Sequence, residues 1–80
     1  MQRQPVESSS LASVGYEQWT RTLEVEFHNG GVYQYLGVPL SVHRGLMTAE
    51  SLGAFLNTRI KPHYPYQRVQ PPDGRSAERR

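Results

Sequence analysis

The stretch FHNGGVYQYL, residues 27–36, decides how this chain folds. Before it, TLEVEF (22–27) alternates strictly, with Leu23, Val25 and Phe27 on one face and Glu24 and Glu26 on the other, the period-two signature of a half-buried strand. After it, VYQYLGV (32–38) reads as the return strand of a hairpin, and the length of the loop between them sets which residues share a face. A two-residue Asn29-Gly30 turn pairs Phe27 with Val32 and puts Tyr33 and Tyr35 opposite Glu26 and Glu24, in solvent. A three-residue loop, His28-Asn29-Gly30 with Gly30 left-handed at a bulge, pairs Val25 with Tyr33 and Leu23 with Tyr35, which brings both rings into the core and leaves Val32 and Gln34 on the open face. The second register is favoured. A chain of 80 residues buries only roughly 60–65% of its unfolded surface and has few large side chains to spare. The first register makes an aromatic platform of the kind on which RNA-binding sheets stack bases, but it sets two carboxylates beside the rings, where they repel phosphate.

Working outward, LASVGY (11–16) predicts a strand, and YEQWTRT a loop leading into TLEVEF. Pro39 suits a helix start, and Val42, Leu46 and Ala49 recur at helical spacing through about residue 49. Ser51 is a good N-cap for a second helix with Leu52, Leu56 and Ile60 on one stripe and Phe55 beside it. Pro62 ends that helix, and HYPYQRV is extended because residues before proline avoid the helical region. The expected fold is α+β: a three-stranded antiparallel meander, two short helices packed on one face, and an extended C-terminal strap with the capacity to add a strand. Residues 1–7 are expected to be a flexible N-terminus, 8–70 one domain, and 71–80 (PPDGRSAERR) a disordered basic tail.

The chain has no cysteine, which excludes a disulfide framework and thiolate metal sites and fits a reducing compartment. No apolar run approaches the ~20 residues of a membrane span, and MQRQPVESSS lacks the apolar middle of a signal peptide, so a cytoplasmic location without membrane contact is expected. The net charge of +2 conceals a polarity. Residues 6–50 hold Arg21 and Arg44 against Glu7, Glu17, Glu24, Glu26 and Glu50, two bases against five acids, for a net −3. Residues 51–70 hold Arg59, Lys61 and Arg68 and no acid, for a net +3, so an anionic partner meets the C-terminal third.

Three segments in this order, SSSLASVGYE, LEVEFHNGGVYQYLGVP and SLGAFLNTRIKPHYPYQRV, resemble the KTSC domain family, small modules named for an extension at the C-terminus of some lysyl-tRNA synthetases. The resemblance spans residues 6–69 and rests on Gly15-Tyr16, Phe27 with Asn29-Gly30, Tyr33-Gln34-Tyr35, Val38-Pro39, Ser51 with Gly53, Asn57, Ile60 and Tyr64-Pro65-Tyr66. It implies a small stand-alone bacterial or phage protein, with RNA binding suggested by the synthetase context. Trp19, in a loop that is polar in the family, and Leu52 and Ala54, where charged residues are common, depart from that pattern.

Arg59, Lys61, His63, Tyr64, Tyr66 and Arg68 interleave cations with aromatics, as single-strand binders require for neutralising phosphate and stacking bases. The competing reading of the same residues is a strap anchored by its tyrosines. Trp19 is the candidate protein contact, and Asn57 is expected to make a local backbone hydrogen bond. Tyr16, Phe27, Tyr33, Tyr35 and Phe55 are the expected core aromatics. His28, His43 and His63 lack metal-ligand spacing. Glu24 and Glu26 lie on an open, solvated face rather than in the enclosed setting of a general acid–base pair, and Ser8–Ser10 have no companion base nearby. The chain is therefore read as a non-enzyme without cofactor or metal. Its expected partner is an RNA, tRNA or single-stranded, with a protein partner through Trp19 or a sheet edge as the alternative; its oligomeric state is left open.

Overall fold

The computed structural model describes residues 2–70, and in it the hairpin adopts the three-residue register. Phe27 N–H donates to the Gly31 carbonyl (2.9 Å) and Gly30 N–H to the Phe27 carbonyl (2.9 Å), closing the loop around His28, Asn29 and Gly30. Val25 lies opposite Tyr33, and Leu23 opposite Tyr35. Gly30 takes φ +93°, a conformation that a side chain would strain. The Asn29 Oδ1 accepts the Gly31 N–H at 2.9 Å and rigidifies the turn.

Five strands, not three, make one antiparallel sheet in sequential order: β1 (Arg3–Pro5), β2 (Leu11–Glu17), β3 (Thr22–Phe27), β4 (Val32–Leu36) and β5 (Tyr66–Gln70). The strap supplies β5, as its extended reading allowed. Within the N-terminal segment, Arg3–Pro5 pairs with β2 from Arg3 opposite Gly15 to Pro5 opposite Ser13. Gly15 permits the close approach, since a Cβ there would sit 2.6 Å from the Gln2 carbonyl oxygen. The basic tail at 71–80 lies outside the described residues.

One face of the sheet is polar and cross-linked. Arg3 Nη1 donates to Glu24 Oε2 (2.7 Å), Gln34 Nε2 to Glu24 Oε1 (2.8 Å) and Gln67 Nε2 to Gln34 Oε1 (2.8 Å), a transverse ladder that ties β1, β3, β4 and β5. Ser13 Oγ donates to Glu26 Oε1 at 2.8 Å. Both carboxylates are thus occupied within the sheet. Val32 shares this face but is only 3% exposed, so the exposure expected for it is corrected.

The other face carries the helices. After Pro39, which is the N-cap, α1 spans Leu40–Thr48, and α2 spans Leu52–Phe55. Ser51 caps α2, its hydroxyl accepting the Ala54 N–H at 3.2 Å. The chain then widens into a π turn, Leu56–Ile60, closed by Lys61 N–H donating to the Leu56 carbonyl at 2.8 Å. Leu46, Leu56 and Ile60 bury against Leu11, Val14, Leu23, Val25, Tyr35 and Val38. Of the five expected core aromatics, Tyr35 is fully buried; Tyr16, Phe27, Tyr33 and Phe55 are half-buried and pack around that core. No helix among the described residues is long and apolar enough to cross a membrane.

Candidate nucleic-acid interface

The hairpin register and the added fifth strand together build the site. Tyr66 pairs with Tyr35 and Arg68 with Tyr33, so both face the helix side of the sheet, whereas Gln67 turns to the polar face. Their arrival beside β4 encloses a hollow of about 330 Å³ lined by Phe27, Asn29, Tyr33, Tyr35, Lys61 and Tyr66. Tyr33 meets Phe27 edge-on at 5.5 Å and 83°, and meets Tyr66 at 5.6 Å and 52°. Tyr35 forms the floor at 2% exposure, while Tyr66 stands 60% exposed at the rim. The Lys61 ammonium sits 5.7 Å from the Phe27 centroid, a cation held over an aromatic wall. Burial, reinforced by Tyr33 and Tyr66, pushes the Tyr35 hydroxyl up to about 12, so it stays protonated through the physiological range.

The six residues singled out from the strap do not act as one row. Lys61 and Tyr66 line the hollow, and the register sets Arg68 on the same face. Arg59 lies elsewhere, its guanidinium 5.9 Å from the Phe55 centroid. His63 is exposed in the turn after the π segment, and Tyr64 is half-buried against the core, serving as the strap's anchor. Of the six, Lys61, Tyr66 and Arg68 thus lie at or beside the hollow, while Tyr64 packs against the core as a strap. The sequence singled out Asn29 as a turn residue and, in the favoured register, placed Phe27 and Tyr33 in the core; all three line the hollow. Asn57 is exposed, and its side chain has no hydrogen-bond partner among the described residues, so the local bond expected of it is not formed.

A second hollow, about 540 Å³, lies at the other edge of the sheet, where Trp19, Leu40, His43, Tyr16 and the β1 strand meet. Trp19 is 87% exposed at the tip of the β2–β3 loop. Tyr16 stacks on His43 at 4.6 Å and 7°, and its hydroxyl donates to the Val38 carbonyl at 2.6 Å. Burial, and then Arg44, lowers the His43 pKa, and the His43 Nδ1 is buried with no hydrogen-bond partner among the described residues. The imidazole is therefore neutral near pH 7.

Other chemistry read from the sequence resolves into structure. His28 donates from Nε2 to the Ser8 carbonyl (2.8 Å), and the Ser8 hydroxyl accepts the N–H groups of Ser10 (3.1 Å) and Leu11 (3.2 Å), a local turn. Among the described residues, no three His, Asp or Glu side chains gather where they could hold a metal.

A small α+β domain with a five-stranded sheet, two helices on one face and an aromatic hollow at the strap edge is the class that these observations define. Residues 7–64 match the KTSC domain, and the chain belongs to that family. It is 46% identical over 70 residues to an uncharacterised protein of Stutzerimonas stutzeri, spanning 86% of this chain and 99% of that one. The lysine–tRNA ligase of Nostoc punctiforme is 40% identical over 63 residues, 79% of this chain but 11% of the ligase. The crystal structure of a KTSC domain protein from Yersinia pestis superposes with a TM-score of 0.82 at 44% identity, covering 85% of this chain and 96% of that one. Tyr66 and Arg68 lie beyond the residues that match the family.

Proposed function

We propose that this protein is a small, non-catalytic, cytoplasmic module that binds single-stranded RNA at the strap-edge hollow. The observation that carries this reading is the exposed Tyr66 ring beside Tyr33, with Lys61 held over the adjoining Phe27. A base stacks on the available rings, and Lys61 and Arg68 supply the cations for its phosphates. The sequence similarity to one segment of lysine–tRNA ligases is consistent with an RNA partner. The carboxylates that would oppose phosphate lie on the other side of the sheet, bonded to Arg3, Gln34 and Ser13.

Fluorescence anisotropy with labelled single-stranded RNA at two salt concentrations tests this. Binding at ~50 mM salt that weakens as salt rises is expected, and Lys61→Gln should lower the slope of log K against log salt by ~0.7, the share of one phosphate on a single strand. Absence of binding at ~50 mM salt would sink the RNA reading and favour a second one, a protein-contact module, for which the 87% exposed Trp19 beside the second hollow is the supporting observation.

A further inference from the structure

The side-chain chemistry around the strap-edge hollow narrows the kind of base it accepts, an inference that rests on the RNA reading above. Its volume of about 330 Å³ lies at the lower end of the roughly 300–1,000 Å³ typical of ligand pockets, room for one nucleotide rather than several. Its hydrogen-bonding inventory is lopsided. The Asn29 Oδ1 is committed to the Gly31 N–H at 2.9 Å, which fixes the orientation of the amide and leaves its Nδ2 as a donor. Lys61 offers only donors. The hydroxyls of Tyr33, Tyr35 and Tyr66 turn either way, and no carboxylate is among the lining side chains. Apart from the second lone pair of the Asn29 amide oxygen, the side chains of fixed polarity at this hollow therefore donate.

We infer that the hollow selects a keto base, uracil or guanine, whose exocyclic oxygen accepts from Asn29 Nδ2 or Lys61 Nζ while the ring rests on Tyr66 and Tyr33. Adenine presents an amino donor at the exocyclic position where these bases present an oxygen; its ring nitrogens still accept, but at that position donor meets donor. The turn that fixes the hairpin register thereby also fixes the polarity of the site, because the bond holding Asn29 in the loop is the one that aims its amide.

Three single-stranded decamers separate this inference from the reading beneath it. Inosine differs from adenosine in bearing an oxygen in place of the amino group and, with it, a proton on N1, so oligo(I) against oligo(A) reverses the polarity of that one base edge on a purine of nearly unaltered size. Anisotropy titrations at ~50 mM salt should show oligo(U) and oligo(I) binding at least ~10-fold tighter than oligo(A). Oligo(A) binding as tightly as oligo(I) would overturn the keto preference while leaving RNA binding standing. Failure of all three would overturn both. Asn29→Asp keeps the oxygen that accepts from Gly31 but replaces the donor with an acceptor. Its added charge penalises all three RNAs alike, so the I-to-A ratio reads the base edge alone, and it should fall to within about twofold of unity. A ratio unchanged in a variant that melts like wild type would remove Asn29 from the recognition.

Discussion

The two hollows sit at opposite edges of one sheet, and both contain an exposed aromatic, yet they offer a ligand different things. At the β1–β2 edge, Tyr16 has given its hydroxyl to Val38, and the Glu17 carboxylate accepts the Trp19 N–H at 3.2 Å. The His43 Nδ1 is buried. At the strap edge, the Asn29 amide retains its donor, Lys61 lies against a ring face, and Tyr66 keeps most of its surface in water. At one edge Tyr16 and Glu17 have used their polar groups to hold the edge together, whereas at the other Asn29, Lys61 and Tyr66 keep theirs available. The difference follows from charge and topology together, because residues 51–70 bring cations without acids and return along β4.

The sharpest way to break this contrast is at the floor of the strap-edge hollow. Tyr35→Ala should cost ~3 kcal/mol or more of stability, since it removes a fully buried ring opposite Leu23, and RNA binding should fall only as the fold is lost. A variant that melts within a degree or two of wild type would show that Tyr35 is not structural. At the rim the balance reverses. Tyr66→Ala should lose ~1–3 kcal/mol of RNA affinity by anisotropy while changing the urea-derived stability by under ~1 kcal/mol, as expected of an exposed edge position.

At the other edge, pH separates the regions. Above the ordinary histidine value of ~6.5 both folded and unfolded chains hold a neutral imidazole at position 43. As pH falls below it, the unfolded chain takes up a proton that burial denies the folded one, so stability drops through that window. His43→Gln should shallow the loss of urea midpoint between neutral and mildly acidic pH; an unaltered slope would mean that His43 takes up its proton equally in both states. The smallest effect belongs to Trp19→Ala, expected to stay within ~0.5 kcal/mol in stability and to leave RNA affinity unchanged, because the ring is 87% exposed and lies across the sheet from the strap. A loss of RNA binding there would erase the distinction between the two edges.

The hairpin and helices were legible because local chemistry dictates them. Strict alternation in TLEVEF and a serine cap each point to one geometry, and the glycine that takes φ +93° fits either turn, the register being decided by the need to bury Tyr33 and Tyr35. The first strand was not legible. Arg3–Pro5 is too short and polar to carry a periodic signal, and it pairs because Gly15 admits it and Glu24 receives Arg3, two facts distant in sequence. The site was half legible for a related reason. Cations alternating with tyrosines marked the strap, but only the pairing of Tyr66 with Tyr35 and the π turn before Lys61 decide which of those residues share a hollow and send Arg59 to Phe55 instead. The place of Asn29 in the wall of the hollow was hidden because its turn chemistry accounted for it fully.

Chemical-shift mapping on isotope-labelled protein puts the division between the edges to its most direct test. On titration with single-stranded RNA at ~50 mM salt, where phosphate contacts are strong, resonances of Phe27, Asn29, Tyr33, Lys61, Tyr66 and Arg68 should move together while those of Trp19, Leu40 and His43 stay in place. Shifts confined to Trp19, Leu40 and His43, or no shifts at all, would contradict a nucleic-acid site at the strap edge.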